Sequence, residues 1–231
     1  MMTSARNPRR YPRIIRPRFP VLYPILDVEI ALRDVEAGNQ RQRRDRLCSL
    51  VRELADAGVE ILQYRNKRDE DVLVAEDLLA IRDSAGTMRL ILNDRAPLVA
   101  AAGWGGVHVG QDDLPPAEAR QMVGRGAMVG LSTHNDAQVI VANQEPVDYV
   151  AVGPVFATPT KDDASPVIGL KGVARARALT EKPLVAIGGI TRETAPAVYD
   201  AGADSVAVIG AIFGPARSPA DSARDFLEIF K

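Results

Sequence analysis

Gln63, Arg65 and Lys67 stand at a spacing of two. In an extended segment that spacing puts an amide and two cations on one face, a set suited to a diphosphate, with arginine able to make a paired contact and lysine acting as a point charge. Asn93 and Asp94 close the apolar run Arg89 to Leu92, and Asp112 and Asp113 follow Val107-His108-Val109-Gly110-Gln111. Two carboxylates ~4 Å apart repel by roughly 4 kcal/mol at an effective dielectric of about 20, so such a pair calls for a cation between them. Magnesium takes oxygen ligands and is held by one or two carboxylates plus substrate phosphates. Ser132, Thr133, His134 and Asn135 end another run. The longest connection carries Thr158, Pro159, Thr160 and Lys161, where two hydroxyls beside a lysine can bind phosphate and stabilise departing negative charge. Gly188-Gly189 and Ile209-Gly210 offer backbone N–H groups that a phosphate can approach closely. Each group also has a structural alternative. Arg68 to Asp71 would suit a solvated loop, and Asp, Asn and Ser at these junctions would suit helix caps. His108 and His134, without a cysteine partner, make a poor zinc signature.

What unites these residues is where they fall. Eight apolar runs can be counted: Val21 to Leu26, Val59 to Tyr64, Arg89 to Leu92, Gly106 to Val109, Met128 to Leu131, Asp148 to Val152, Leu184 to Ile187 and Ser205 to Ile209. Segments of helical period separate them, as with Leu47, Leu50, Val51 and Leu54 at i, i+3, i+4 and i+7. Ala55-Asp56-Ala57-Gly58 and Tyr199-Asp200-Ala201-Gly202 read as the same junction, a helix stopped by glycine and followed at once by a strand; Ala101-Ala102-Gly103 echoes them. Strands alternating with helices predict an α/β fold with a parallel sheet, and residues 21–231 predict a single (β/α)8 TIM barrel whose strand ends share one face. An open doubly wound sheet is the alternative; the spread of candidate residues over many strand ends favours closure.

Composition narrows the function. The 29 basic and 30 acidic residues nearly cancel, which argues against a nucleic-acid partner. The single Cys48 excludes an intramolecular disulfide and reads as a small core residue. No apolar run approaches the ~20 residues of a membrane span, so the expectation is a cytoplasmic protein acting on small-molecule substrates, with no membrane partner and with a homo-oligomer left open. Residues 1–20 hold six arginines among four prolines and read as a flexible basic extension.

In combination, Gln63-Tyr64-Arg65-Asn66-Lys67, Leu92-Asn93-Asp94-Arg95, the stretch Gly106 to Pro115, Ser132-Thr133-His134, Gly153-Pro154 with Thr158 to Lys161, and Ala186-Ile187-Gly188-Gly189-Ile190 closely resemble the thiamine phosphate synthase family, from about Tyr23 to Ile212. The resemblance implies a magnesium-dependent barrel transferase. It would join 4-amino-5-hydroxymethyl-2-methylpyrimidine diphosphate to 4-methyl-5-(2-hydroxyethyl)thiazole phosphate, yielding thiamine phosphate and pyrophosphate. Carried over by motif, Gln63, Tyr64, Arg65, Asn66, Lys67, Asn93, Ser132 and Lys161 would bind the pyrimidine diphosphate, with Lys161, Arg65, Lys67 and Ser132 as the catalytic positions. Asp94 and Asp113 would hold one magnesium ion. Thr158, Pro159, Thr160, Gly189, Ile209 and Gly210 would bind the thiazole phosphate. The family commonly has serine where this chain has Gly210, so a hydroxyl contact is lost there. A related thiazole tautomerase has no use for the diphosphate and metal set, and a catalytically silent binding module would keep it without turnover.

Overall fold

The computed structural model describes residues 19–158, 166–215 and 217–230. Eight parallel strands, β1 (Leu22–Asp27), β2 (Ile61–Arg65), β3 (Arg89–Asn93), β4 (Gly106–Val109), β5 (Met128–Thr133), β6 (Tyr149–Val152), β7 (Leu184–Ile187) and β8 (Ser205–Val208), close into a barrel in sequence order. Closure is made by β1 and β8, with Leu22 opposite Val206 and Pro24 opposite Val208, which excludes the open sheet. Every apolar run becomes a strand. Several reach further than the apolar pattern: β2 runs to Arg65, β3 to Asn93 and β5 to Thr133, so the polar residues that close them are themselves part of the barrel wall.

The helices form where the sequence marks them. Helix Gln40–Asp56 starts at Asn39, whose side chain accepts from the Gln42 N–H at 3.0 Å, and its stripe Leu47, Leu50, Val51 and Leu54 is buried against the sheet. Its end is a Schellman turn: Gly58 at φ +92° donates to Ala55 O (3.0 Å), and Val59 donates to Leu54 O (3.1 Å). Gly103 and Gly202 repeat the device, with Trp104 N reaching Val99 O at 3.0 Å and Ala203 N reaching Val198 O at 3.3 Å. In all three the left-handed glycine turns the chain directly into, or just ahead of, the next strand.

Alternation along each strand produces two apolar layers. Leu62, Leu90, Leu92 and Val107 pack outward against the helices, while Ile25, Ile61, Ile91 and Val185 fill the barrel interior. Phe19 also belongs to the interior: it is 7% exposed, its ring lies 5.0 Å from that of Tyr149, and it lines a cavity beside the strand beginnings at Ile61, Arg89 and Met128. The barrel therefore starts before residue 21. Phe19 and Pro20, assigned by composition to the extension, cap the strand-beginning end, because an aromatic among prolines and arginines has no local pattern yet fits a hole that only closure creates. Met1 to Arg18 lie outside the described residues. Cys48 is buried and donates to Ala80 O at 3.1 Å, as a core residue should. No described helix is long and apolar enough to cross a membrane.

Candidate active site

The alternation that built the core also sorts the 63–67 segment. Gln63 turns inward, and its Nε2 donates to the Tyr23 hydroxyl at 3.1 Å. Arg65, at the end of β2, ion-pairs with Asp27 at the end of β1. Lys67 follows on the same side and its Nζ meets the Asp94 carboxylate. Tyr64 and Asn66 face the other way. Tyr64 is fully buried behind the sheet, where its hydroxyl donates to Asp77 of helix Asp71–Arg82. Asn66 spends its amide locally: Nδ2 donates to Tyr64 Oη (3.1 Å) and Asp69 Oδ2 (2.9 Å), and Oδ1 accepts from the N–H groups of Arg68 (3.2 Å) and Asp69 (3.0 Å). The side chains of Tyr64 and Asn66, expected among the pyrimidine-binding residues, therefore make their hydrogen bonds away from the face that carries Gln63, Arg65 and Lys67. Both instead pin the turn that carries Lys67, and the period of two that grouped Gln63, Arg65 and Lys67 is the reason.

Asp94 and Asp113 come from different strand ends and meet side chain to side chain. Asp94 is the one described non-glycine residue at positive φ, +66°, a conformation that costs of order 1–3 kcal/mol and is held here by its N–H bond to His108 O at 2.8 Å. Burial, then the Asp113 carboxylate, raise the Asp94 pKa above the ordinary carboxyl range, and they outweigh the opposing pull of Lys67. Asp113 moves the other way. Partial burial would raise it, but the hydrogen bond from Asp94, the Gly110 N–H at 2.8 Å and the charge of Lys67 bring it down. Two carboxyls in contact repel, and the Lys67 ammonium offsets part of that repulsion. An oxygen-seeking divalent cation fits this donor set, since it would offset both charges from between the same oxygens. Among the described residues no cluster of three or more His, Cys, Asp or Glu side chains could hold a metal, and phosphate and water can supply further oxygens to a carboxylate pair. Asp112 is exposed. Asn93 leaves a buried Nδ2 with no partner, an unspent donor beside the pair.

Ser132 does not cap the helix that follows β5. Asn135 does that, accepting from Gln138 N–H at 3.0 Å, while Ser132 Oγ lies 2.8 Å from His108 Nε2. Further round the barrel, Val155 N donates to Ile187 O (2.9 Å) and Phe156 N to Gly188 O (3.0 Å), so the connection after β6 is laced onto the end of β7. Gly189, at φ +62°, sits so close that a Cβ would lie 2.5 Å from Ala157 O. Thr158 follows directly. Pro159, Thr160 and Lys161 lie outside the described residues. After β8, Ile209 leads into the short helix Gly210–Phe213. A Cβ at Gly210 would meet nothing within 4 Å, so packing does not explain why the family's serine is replaced.

Sequence reasoning missed Asp27, Tyr23, Tyr149 and the structural use of His108. Asp27 closes β1 as Asp94 follows β3, so the strand-end signal was there. The two tyrosines sit within apolar strands and carry no such mark.

The family model for thiamine monophosphate synthase matches residues 37–212. Thiamine-phosphate synthase of Koribacter versatilis is 48% identical over 184 residues, 79% of this chain and 86% of that one. The Chloroflexus aurantiacus thiamine-phosphate synthase is 41% identical over 180 residues, covering 77% and 82% respectively. Among solved structures, thiamine phosphate pyrophosphorylase from Pyrococcus furiosus superposes with a TM-score of 0.76 at 27% identity, over 91% of this chain and 95% of that chain. With the site assembled at the strand ends of a closed barrel and more than half of its length matched, the chain belongs to the thiamine monophosphate synthase family.

Proposed function

We propose that this chain is a magnesium-dependent transferase that makes thiamine phosphate, using the strand-end site in the following way. Family membership carries the thiamine phosphate synthase activity. The observation that supports the magnesium-diphosphate reading is the meeting of Asp94, Asp113 and Lys67 at one point of the rim.

The pyrimidine diphosphate brings roughly three negative charges near neutral pH, by analogy with a phosphate second pKa of ~6. Arg65 and Lys67 offset them, and Asp27 fixes Arg65 so that its guanidinium is already aimed before substrate arrives. Asp94 and Asp113 would hold magnesium, which when bound supplies a Lewis-acidic charge to diphosphate oxygens. Asn93 offers its unspent N–H to the same ligand. As the bond between the pyrimidine methylene and the diphosphate oxygen lengthens, its electron pair leaves with pyrophosphate, and the cationic side chains stabilise that developing charge. Lys161 would join them. The aminopyrimidine delocalises the cation left on its methylene, and the thiazole nitrogen captures it with its own lone pair, forming the new carbon–nitrogen bond. No nucleophilic side chain is needed. Gly189 with Thr158, Pro159 and Thr160, and Ile209 with Gly210, would hold the thiazole phosphate. Phosphorylated substrates that do not cross membranes unaided fit a cytoplasmic location.

Pyrophosphate release tests the whole reading. Release should require both substrates together with magnesium, and chelation should abolish it. Tight binding of both substrates without any release would assign the chain to a silent module instead.

A further inference from the structure

A row of hydrogen bonds crosses the interior of the barrel beneath the site. Gln63 Nε2 donates to Tyr23 Oη (3.1 Å), Tyr23 Oη lies 2.9 Å from Tyr149 Oη, Tyr149 Oη lies 2.9 Å from His108 Nδ1, and His108 Nε2 lies 2.8 Å from Ser132 Oγ. The row starts on β2, passes through β1, β6 and β4, and ends on β5. Space for it is made deliberately: a Cβ on Gly130 would fall 2.0 Å from Tyr149 Cζ, so the ring occupies the place a side chain would take on β5. Tyr23 and Tyr149 are fully buried, and His108 is 7% exposed.

Proton counting gives the row a direction. Tyr23 accepts from Gln63, so its single proton goes to its other hydroxyl partner, Tyr149. Tyr149 must then donate to His108 Nδ1. That makes His108 a neutral imidazole with its proton on Nε2, donated to Ser132 Oγ. Two groups emerge with fixed and opposite character: Gln63 keeps Oε1 as an acceptor, and Ser132 keeps its own O–H as a donor. Reversal would require every proton in the row to move and the Gln63 amide to turn over, all together.

We propose that Tyr149 and His108 are positioning residues that lock Gln63 as acceptor and Ser132 as donor, so that the site meets an amino N–H of an aminopyrimidine with the one and a ring nitrogen with the other. The proposal rests on the substrate assignment above, but its first test does not.

Tyr149→Phe keeps the ring that fills the space over Gly130 and removes the hydroxyl in the middle of the row. Tyr23→Phe cuts the row one step earlier and leaves the Tyr149 to His108 bond in place. The chain has two histidines, so nitrogen-15 spectra of labelled imidazoles can be assigned with one further variant at His134. Free of ligand, His108 should show a single neutral form protonated on Nε2, retained in Tyr23→Phe and replaced by a mixture in Tyr149→Phe. In turnover, both variants should raise the KM for the pyrimidine diphosphate about tenfold while leaving that for the thiazole phosphate unchanged. An Nδ1-protonated or unaltered imidazole in Tyr149→Phe overturns the row. A changed imidazole with both KM values moved equally, or neither moved, overturns the positioning role. If the unaltered protein releases no pyrophosphate, the substrate assignment fails, and the imidazole spectra still decide the row by themselves.

Discussion

At Asp94 two separate costs meet in one residue, a left-handed backbone and a carboxyl pressed against Asp113. Neither helps the fold, and both are what a site would retain to place a charge where the proposed cation would sit. Asn tolerates left-handed φ as readily as Asp, so Asp94→Asn isolates the charge from the backbone. That variant should lose about a hundredfold or more in kcat/KM and need more magnesium for half-maximal rate, on the scale of losing one charge ligand. Its thermal midpoint should be unchanged or slightly raised, since the buried carboxyl pair is relieved. Full activity with an unaltered magnesium requirement would remove Asp94 from the metal. The sequence carried this residue legibly, because an acid just past an apolar run reads as a strand-end group. It did not carry His108 in the same way. A histidine inside a short apolar run reads as a core residue or a stray ligand, and its two partners, Tyr149 and Ser132, are supplied by strands whose register only the closed sheet sets.

Between β2 and helix Asp71–Arg82 lies the element that holds the Lys67 turn in place. Arg43, from helix Gln40–Asp56, bonds Asp77 at 2.6, 3.0 and 3.1 Å and Asp69 at 2.8 Å, and Asp77 also accepts the Tyr64 hydroxyl. The Asp77 and Arg43 side chains are 4% and 13% exposed, so removing one leaves the other charged and nearly dry. Asp77→Ala should cost about 3–5 kcal/mol, lowering the midpoint by on the order of 10 °C in a chain of this size. It should also raise the KM for the diphosphate substrate, because Tyr64 and Asn66 lose their anchor and the turn bearing Lys67 loosens. Denaturant melts and steady-state kinetics on the same preparation check both effects; a loss of stability with an unchanged diphosphate KM would separate the cluster from the site. Much of this element was visible beforehand. The i, i+3, i+4, i+7 stripe and the glycine stop located the helix, and the spacing of two put Gln63, Arg65 and Lys67 together. The same spacing also put Tyr64 and Asn66 behind the sheet, a consequence that the motif obscured by presenting five consecutive residues as one unit.

Closure of the barrel, read from eight strand-like runs, has a price in the molecule's interior that no single run displays: aromatic rings must fill the end opposite the site. Phe19 and the Tyr23–Tyr149 pair do so, and the polar tip of each tyrosine needs a partner there. The periodic pattern could show that eight strands exist, but which rings meet across the centre depends on pairings such as Tyr23 opposite Ala207 and Gly130 opposite Tyr149. The outcome is that Tyr23, Tyr64, Tyr149 and Tyr199 are all held neutral by burial, each with its pKa raised above the ordinary phenol value. Tyr64 is raised further by the charge of Asp77. A raised folded pKa means that the folded state keeps a proton the unfolded chain gives up. The stabilisation is fully present below the unfolded value of ~10 and drains away as pH rises above it, by about 1.4 kcal/mol per pH unit for each tyrosine. Four such groups steepen the loss to about 5.6 kcal/mol per unit, so the barrel should unfold in a narrow alkaline interval. Tyrosinate absorbance and far-ultraviolet circular dichroism followed together should then change in one step, with Tyr11, outside the described residues, as the remaining tyrosine. Tyrosinate signals from Tyr23 and Tyr149 appearing well before the helical signal falls would mean that the interior admits hydroxide without unfolding, which a dry aromatic floor beneath the site does not allow.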